Sequence, residues 1–302
     1  MNMQFLVDGL LTGSMIGLGA IGVTLTYSIL RFSNFSHGDL MAWGTYATLM
    51  FVGAITALFG KVAPIAPLSF GWPLLLALAL GMLFTGGLAL LLDKILFQRL
   101  RAKGQMIIVV MASFGASMAL RSLLEFLFTS SPAYFSRAIQ IAKPIGFGIR
   151  ITPDQIALLL LTAALVTAVH LLMTRSQIGR EMRAVSQNIG LARVVGIDVA
   201  RVVRFTWLIG GALACVAGVM IGVLVQIRPL MGFDMLLPVF AAAILGGIGS
   251  IPGAVLGGLI IGLSEAAAVQ IFGAEWRAAI AFVILMAVLF VRPIGLFGVG
   301  ER

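Results

Sequence analysis

Charged residues make up only 10% of this 302-residue chain, too few to coat a water-soluble domain of that length. Histidine occurs twice, at His37 and His170, and cysteine once, at Cys215. One cysteine excludes a disulfide framework or a cysteine-based metal site within the chain. There is no Gly-x-x-x-x-Gly-Lys-Ser/Thr phosphate loop and no His-Glu-x-x-His zinc motif. The chain is therefore expected to be no enzyme, with no catalytic residue, metal or cofactor of its own, and any use of ATP has to enter through another subunit. The strict apolar/polar alternation of a membrane barrel is absent as well.

What remains is apolar: 61% of residues are hydrophobic and mean hydropathy is +1.12. The apolar runs are long enough to cross a hydrocarbon core, which takes roughly 20 residues of helix. The fold class expected is an all-α integral membrane protein. Spans are read near 5–30, 38–59, 72–97, 106–128, 155–173, 205–225 and 277–292. A further segment, 236–271, is interrupted around 246–253, and either two crossings or a re-entrant hairpin fits it. This gives about eight membrane segments in a single transmembrane domain over 1–302. The N-terminal Met1-Asn2-Met3-Gln4 lacks the basic region of a secretory signal, so the first segment is expected to be retained.

Net charge is +9, but the basic residues punctuate apolar segments, which points to topology and not to nucleic acid. Arg31, Lys94, Arg99, Arg101, Lys103, Arg292, Arg302 and the six arginines of loop 174–204 fall on one side. Lys61, Arg137, Lys143, Arg150, Arg228 and Arg277 fall on the other, with Arg121 inside a span. The richer side should be cytoplasmic. The N-terminus is then outside and the C-terminus inside.

Gly9, Gly13 and Gly17 recur every fourth residue, as do Gly218 with Gly222, Gly253 with Gly257 and Gly258 with Gly262. Such spacing lines one helix face with hydrogens and lets backbones approach closely. Two polar interruptions precede small-residue helical runs: Asn34-Phe35-Ser36-His37-Gly38-Asp39 and Gly246-Gly247-Ile248-Gly249-Ser250-Ile251-Pro252-Gly253. In transporters, paired breaks of this kind point to the substrate path, because helix N-termini expose unpaired N–H groups. An ordinary surface loop is the alternative for each. Asn34, His37, Gly38, Gly246, Gly247, Gly249 and Ser250 are the candidate pathway residues, joined by Glu265. Asp39 or Ser250 would cap the helix that follows, with Pro252 in a first turn. The two interruptions are expected to approach each other, with backbone coming close at Gly247 and Gly249. Arg121 and Glu125, four apart, are expected to pair on one helix face. His170 reads as an interfacial polar residue.

Loop 174–204 carries the most specific pattern. Asn188 reads as an N-cap and Gly196 as the residue past a helix end, enclosing a short helix, and Asp198 caps the next span.

These residues resemble the LivH-type permeases of branched-chain amino-acid ABC transporters, over nearly the whole chain. The resemblance is carried by Asn34-Phe35-Ser36-His37-Gly38, by Gly179-Arg180-x-Met182-Arg183-Ala184 with Asn188, Ala192 and Gly196, and by Ala241 to Ala254. Ser36 stands where the family usually has Ala. The resemblance implies an importer permease in a bacterial inner membrane, paired with a second, LivM-like permease, two cytoplasmic ATP-binding subunits and a periplasmic substrate-binding protein. It also implies that loop 179–198 docks on an ATPase, through Gly179, Arg180, Ala184, Asn188, Ala192 and Gly196. The docking face is expected to be Ile189, Ala192 and Val195. The family includes urea and amide permeases, and a self-sufficient channel is the competing class.

Overall fold

The computed structural model describes residues 3–60, 62–136, 140–146, 148–292 and 294–298. Met1, Asn2 and the basic residues Lys61, Arg137 and Arg302 lie outside the described residues. The chain is built of α1 (Gln4–Leu30), α2 (His37–Phe59), α3 (Trp72–Leu92), α4 (Gln98–Arg101), α5 (Met106–Phe128), α6 (Pro153–Arg175), α7 (Gln177–Gln187), α8 (Ile189–Val194), α9 (Val199–Leu224), α10 (Met231–Gly246), α11 (Ile251–Phe272) and α12 (Arg277–Val291). A widened turn, Asp93–Phe97, joins α3 to α4 without a break. A small antiparallel hairpin, β1 (Lys143–Gly146) and β2 (Ile149–Ile151), is folded into the long α5–α6 connection.

Among the described residues, eight helices are long and apolar enough to cross a membrane, and α10 is a shorter apolar helix. This is an all-α membrane protein. The ambiguous segment 236–271 resolves into two unequal helices: α11, with 22 residues, has full crossing length, whereas α10, with 16 residues, reaches only about 24 Å at ~1.5 Å per residue. The two fold back on each other. Gly246 and Gly253 sit so close that a Cβ on either would overlap the other's carbonyl.

Helices α1 and α9 lie at the centre, with more than two thirds of their apolar windows buried. Glycine explains how α1 meets α11. A Cβ on Gly13 would fall 2.8 Å from the Leu259 Cα, and one on Gly258 or Gly262 would overlap the α1 backbone at Gly17 or Gly13. The same holds between α9 and α2, where Gly218 abuts the carbonyl of Met41. Lipid tails supply no hydrophobic force between helices, so close van der Waals packing must hold them. The glycine repeats at four-residue spacing are thus occupied within the chain.

The described ends of the chain lie at opposite ends of α1. Gln4 exchanges hydrogen bonds with the backbone of Arg150, at 2.9 and 3.1 Å. Phe297 shares a cavity wall with Tyr27, Ser28 and Arg31. The end of α11 shares a cavity with Gln4 and its start shares one with Ser28 and Arg31, so the chain between α9 and α11, with α10 as its helical part, returns toward the Arg31 end of α1.

Replacing Gly258 with Leu should push α1 and α11 apart, an overpacking cost of about 1–3 kcal/mol or more. A Cβ on Gly87 would meet no other atom within 4 Å, so Gly87→Leu should change little. Thermal denaturation in detergent distinguishes the two, and equal melting temperatures would contradict the packing described.

Candidate functional site

The first interruption is a tight, buried turn. Arg31 ends α1 in the left-handed region at φ 58°, its N–H donating to Tyr27 O at 2.8 Å. Asn34 then organises the reversal. Its Oδ1 accepts from the Ser36 N–H at 3.2 Å and from the Ser36 hydroxyl at 2.7 Å, and its carbonyl accepts from the His37 N–H at 3.3 Å. These bonds start α2 at His37. They leave Asn34 Nδ2 and His37 Nε2 buried without a hydrogen-bond partner.

Asp39 does not cap the helix. It lies in the first turn of α2, accepts from the Ser117 hydroxyl and pairs with Arg121 Nε at 3.3 Å. That arrangement also replaces the expected Arg121–Glu125 pair: Glu125 is exposed, while Arg121 turns inward to the carboxylate of another helix. The Arg121 guanidinium lies 4.1 Å from the centre of the Phe233 ring, so one arginine links α2, α5 and α10. A buried carboxylate needs a cation and hydrogen bonds, and an exposed acid four residues away could not supply them to Asp39. Nearby, Gly38 and Gly232 press backbone on backbone.

The second interruption is a glycine turn. Gly247 and Gly249 adopt φ of 93° and 97°, which side chains other than hydrogen resist. Ser250 caps α11 as expected, accepting from the Gly253 N–H at 3.1 Å, with Pro252 in the first turn. The chain after α12 closes over the end of α10. Leu296 N–H donates to Leu245 O at 2.8 Å and Phe297 N–H to Gly246 O at 3.1 Å, so two end carbonyls of α10 are satisfied there. Close backbone approach holds for Gly247, where a Cβ would strike Gly298. It does not hold for Gly249, where a Cβ would meet only the Ser28 side chain, at 3.8 Å.

The two interruptions are not joined directly by any described bond; α10 separates them. Residues 35–38 meet it through Gly232, Leu236 and Phe240, with the Phe35 and Phe240 rings 5.5 Å apart, and the glycine turn forms its other end. Glu265 is fully buried and lies 3.2 Å from Arg277. His170 is exposed and lines a cavity of about 710 Å³ with Arg31, Arg183 and the glycine turn.

Loop 174–204 folds as two helices. Ser176 caps α7, accepting from Gly179 N–H at 3.0 Å. Asn188 caps α8, accepting from Leu191 N–H at 3.0 Å, and Asp198 caps α9, accepting from Arg201 N–H at 3.1 Å. Gly196 takes φ 85°, as its place past a helix end requires. A Cβ on Gly179 would overlap the α6 backbone at Met173. Arg180 is exposed and Ala184 half-buried. The expected docking face needs correction: Ala192 is 3% exposed and points into the protein, whereas Leu191, Val194 and Val195 are 60%, 83% and 66% exposed.

Over residues 5–289 the sequence matches the family described as branched-chain amino acid transport system / permease component. The chain belongs to this family. It is 33% identical to the high-affinity branched-chain amino acid transport system permease protein BraD of Pseudomonas aeruginosa, covering 98% of this chain and 95% of that one. To the LivH protein of Escherichia coli it is 30% identical, with 98% and 95% covered. A probable LivH of Methanocaldococcus jannaschii is 29% identical, with 98% and 92% covered. The protein is therefore a multi-pass transport permease and not an enzyme.

Sequence reasoning missed three partners in this permease: Ser117, Gly232 and Phe233. Ser117 touches Asp39 and Gly232 touches Gly38 from far along the chain, and Phe233 meets them only through Arg121; nothing in their own neighbourhoods marks them.

Removing the acid from the buried pair should be costly. Asp39→Ala strands Arg121 among apolar groups and is expected to destabilise by about 3 kcal/mol. The double variant Asp39→Asn with Arg121→Gln should lose less than Asp39→Ala alone. Denaturation in detergent checks the order, and a reversed order would refute the pairing.

Proposed function

We propose that this chain is a permease subunit of an ABC importer for branched-chain or closely related amino acids, in the cytoplasmic membrane of its cell. The observation that carries the reading is the family match across residues 5–289, together with relatives similar along nearly their full length. A second permease, two ATP-binding subunits and a substrate-binding protein complete the assembly. ATP-dependent uptake by that assembly, and none by the chain alone in liposomes, is the expected result; uptake without ATP or partners would overturn it.

In this reading the chain forms one transmembrane domain whose loop 174–204 faces the cytoplasm, with the N-terminus outside. The asymmetry of basic residues supports that orientation, and the opposite placement of the described ends, Gln4 and Phe297, agrees with it. The substrate passes beside α10, between the turn at Asn34, His37 and Gly38 and the glycine turn at Gly246, Gly247, Gly249 and Ser250, with Glu265 on the flank. Two buried, unpartnered polar atoms at Asn34 and His37 support this placement, since such atoms cost free energy unless something meets them.

Coupling to ATP hydrolysis is assigned to α7 and α8. Gly179 and Ala192 hold these helices to the body of the protein, Asn188 and Gly196 set their ends, and Arg180 and Ala184 face outward or partly so. Leu191, Val194 and Val195 supply the apolar contact to the ATPase.

A charge on that contact must lose its water on docking. Val194→Glu is expected to abolish co-purification of the ATP-binding subunits while leaving membrane insertion normal. Arg193→Ala should do much less. Equal recovery of the ATPase with Val194→Glu would remove α8 from the coupling element.

A further inference from the structure

The permease reading leaves open where the chain meets its substrate from outside. Along α10 lies a cavity of about 840 Å³ whose floor is apolar, including Phe35, Phe233, Leu236 and Phe240. Five of its 21 lining residues are charged, against 10% of the chain as a whole. A greasy groove meant only for lipid would shed such residues, because ionisable groups inside a membrane are costly. Arg228 and Glu275 come from the α9–α10 and α11–α12 connections, which are exterior in the proposed orientation, and Arg277 opens α12 at the same level.

Four of the charges form two opposed pairs. Glu265 and Arg277 are 3.2 Å apart, with Glu265 buried and both its carboxylate oxygens lacking a hydrogen bond. Arg228 and Asp234 are only loosely paired, at 3.8 Å, and their side chains are 49% and 46% exposed. Their backbone is firmly held nonetheless. Ile227, next to Arg228, exchanges two backbone hydrogen bonds with Ala133 at 2.8 and 3.0 Å, and Asp234 N–H donates to Leu230 O at 3.1 Å. A loose pair on a rigid turn is ready to exchange partners.

We propose that Arg228 and Asp234 form the zwitterion-reading pair of an external vestibule, taking an α-amino acid whose carboxylate meets Arg228 and whose ammonium meets Asp234. The proposal rests on the importer reading and adds to it the residues that receive substrate. The two charged groups of an α-amino acid sit on one carbon, so they match a cation and an anion held side by side. An aliphatic side chain then lies over Phe233 and Phe240. The charge-assisted bonds lost to water are remade with the pair, and the apolar wall favours branched side chains by burial.

The test uses the whole assembly in proteoliposomes, with radiolabelled leucine on its binding protein at saturating concentration. Asp234→Asn and Arg228→Gln should each reduce uptake about 10-fold to 100-fold, the effect of one charge-assisted bond. Recovery of the partner subunits and the melting temperature should match the unaltered protein. Asp234→Glu should restore most of the uptake. The swap Arg228→Asp with Asp234→Arg should not, because it re-forms a salt bridge but turns the bound side chain away from the aromatic wall. Wild-type uptake by Asp234→Asn, or rescue by the swap, would overturn the assignment in favour of a structural ion pair. No uptake by the unaltered assembly, with ATP and loaded binding protein present, would instead bring down the importer reading and this assignment with it.

Discussion

Backbone-to-backbone contact at glycine is the constraint on which this architecture turns. Two helices in lipid gain little by burying apolar side chains, since the tails around them are equally apolar. They gain by approaching until their main chains touch. Gly13, Gly258 and Gly262 do this for α1 and α11, Gly218 does it for α9 and α2, and Gly246 with Gly253 does it for α10 and α11. Once α1 and α9 are fixed in this way, the turn at Asn34 to His37 has to fit between them. There a Cβ on Gly22 would strike the His37 ring, and one on Gly38 would strike Gly232.

Buried charge is the second organising element, working across helices at Asp39 and Glu265 and along a single continuous helix at Asp93. Asp39 reaches Arg121, and Glu265 reaches Arg277. Asp93 meets Arg101 at 2.6 Å, where the widened turn brings Phe97 flat against Trp207 at 5.5 Å. Breaking any of these pairs leaves an ion without its partner, a larger loss than the pair's net contribution to stability. The pairs at Asp39 and Glu265 therefore fix which helices neighbour one another more than they raise the stability of the fold.

Most of the helices were legible from apolar length alone, and their starts were sharpest where a cap was visible, as at Ser250, Asn188 and Asp198. The capping residue acts on backbone two or three positions away, so local sequence suffices. Asp39 misled because its local grammar is that of a cap, while its real partners, Ser117 and Arg121, lie 78 and 82 residues on. Ala192 misled for a related reason: the side of a short helix that faces the protein depends on how the helix is docked, and periodicity over six residues does not fix that. The course of α10 was ambiguous in sequence because its length falls between a loop and a full crossing. The packing of 294–298 over its end fixes where that end lies, and that contact is also remote in the chain.

The shortness of α10 has an electrical consequence. Cavities lie along it and beyond its glycine end, and the helix itself measures only about 24 Å. With water in both cavities, a membrane voltage would drop over less than the ~30 Å of the surrounding hydrocarbon, and the local field would be steeper. Carrying a net charge through such a field takes about 2.3 kcal/mol for each 100 mV, for or against the gradient. A zwitterion has no net charge and crosses without that term. On the proposed route beside this short helix, an amino acid of this type would cross at a rate indifferent to membrane potential, while a stray cation or anion would feel the voltage in full.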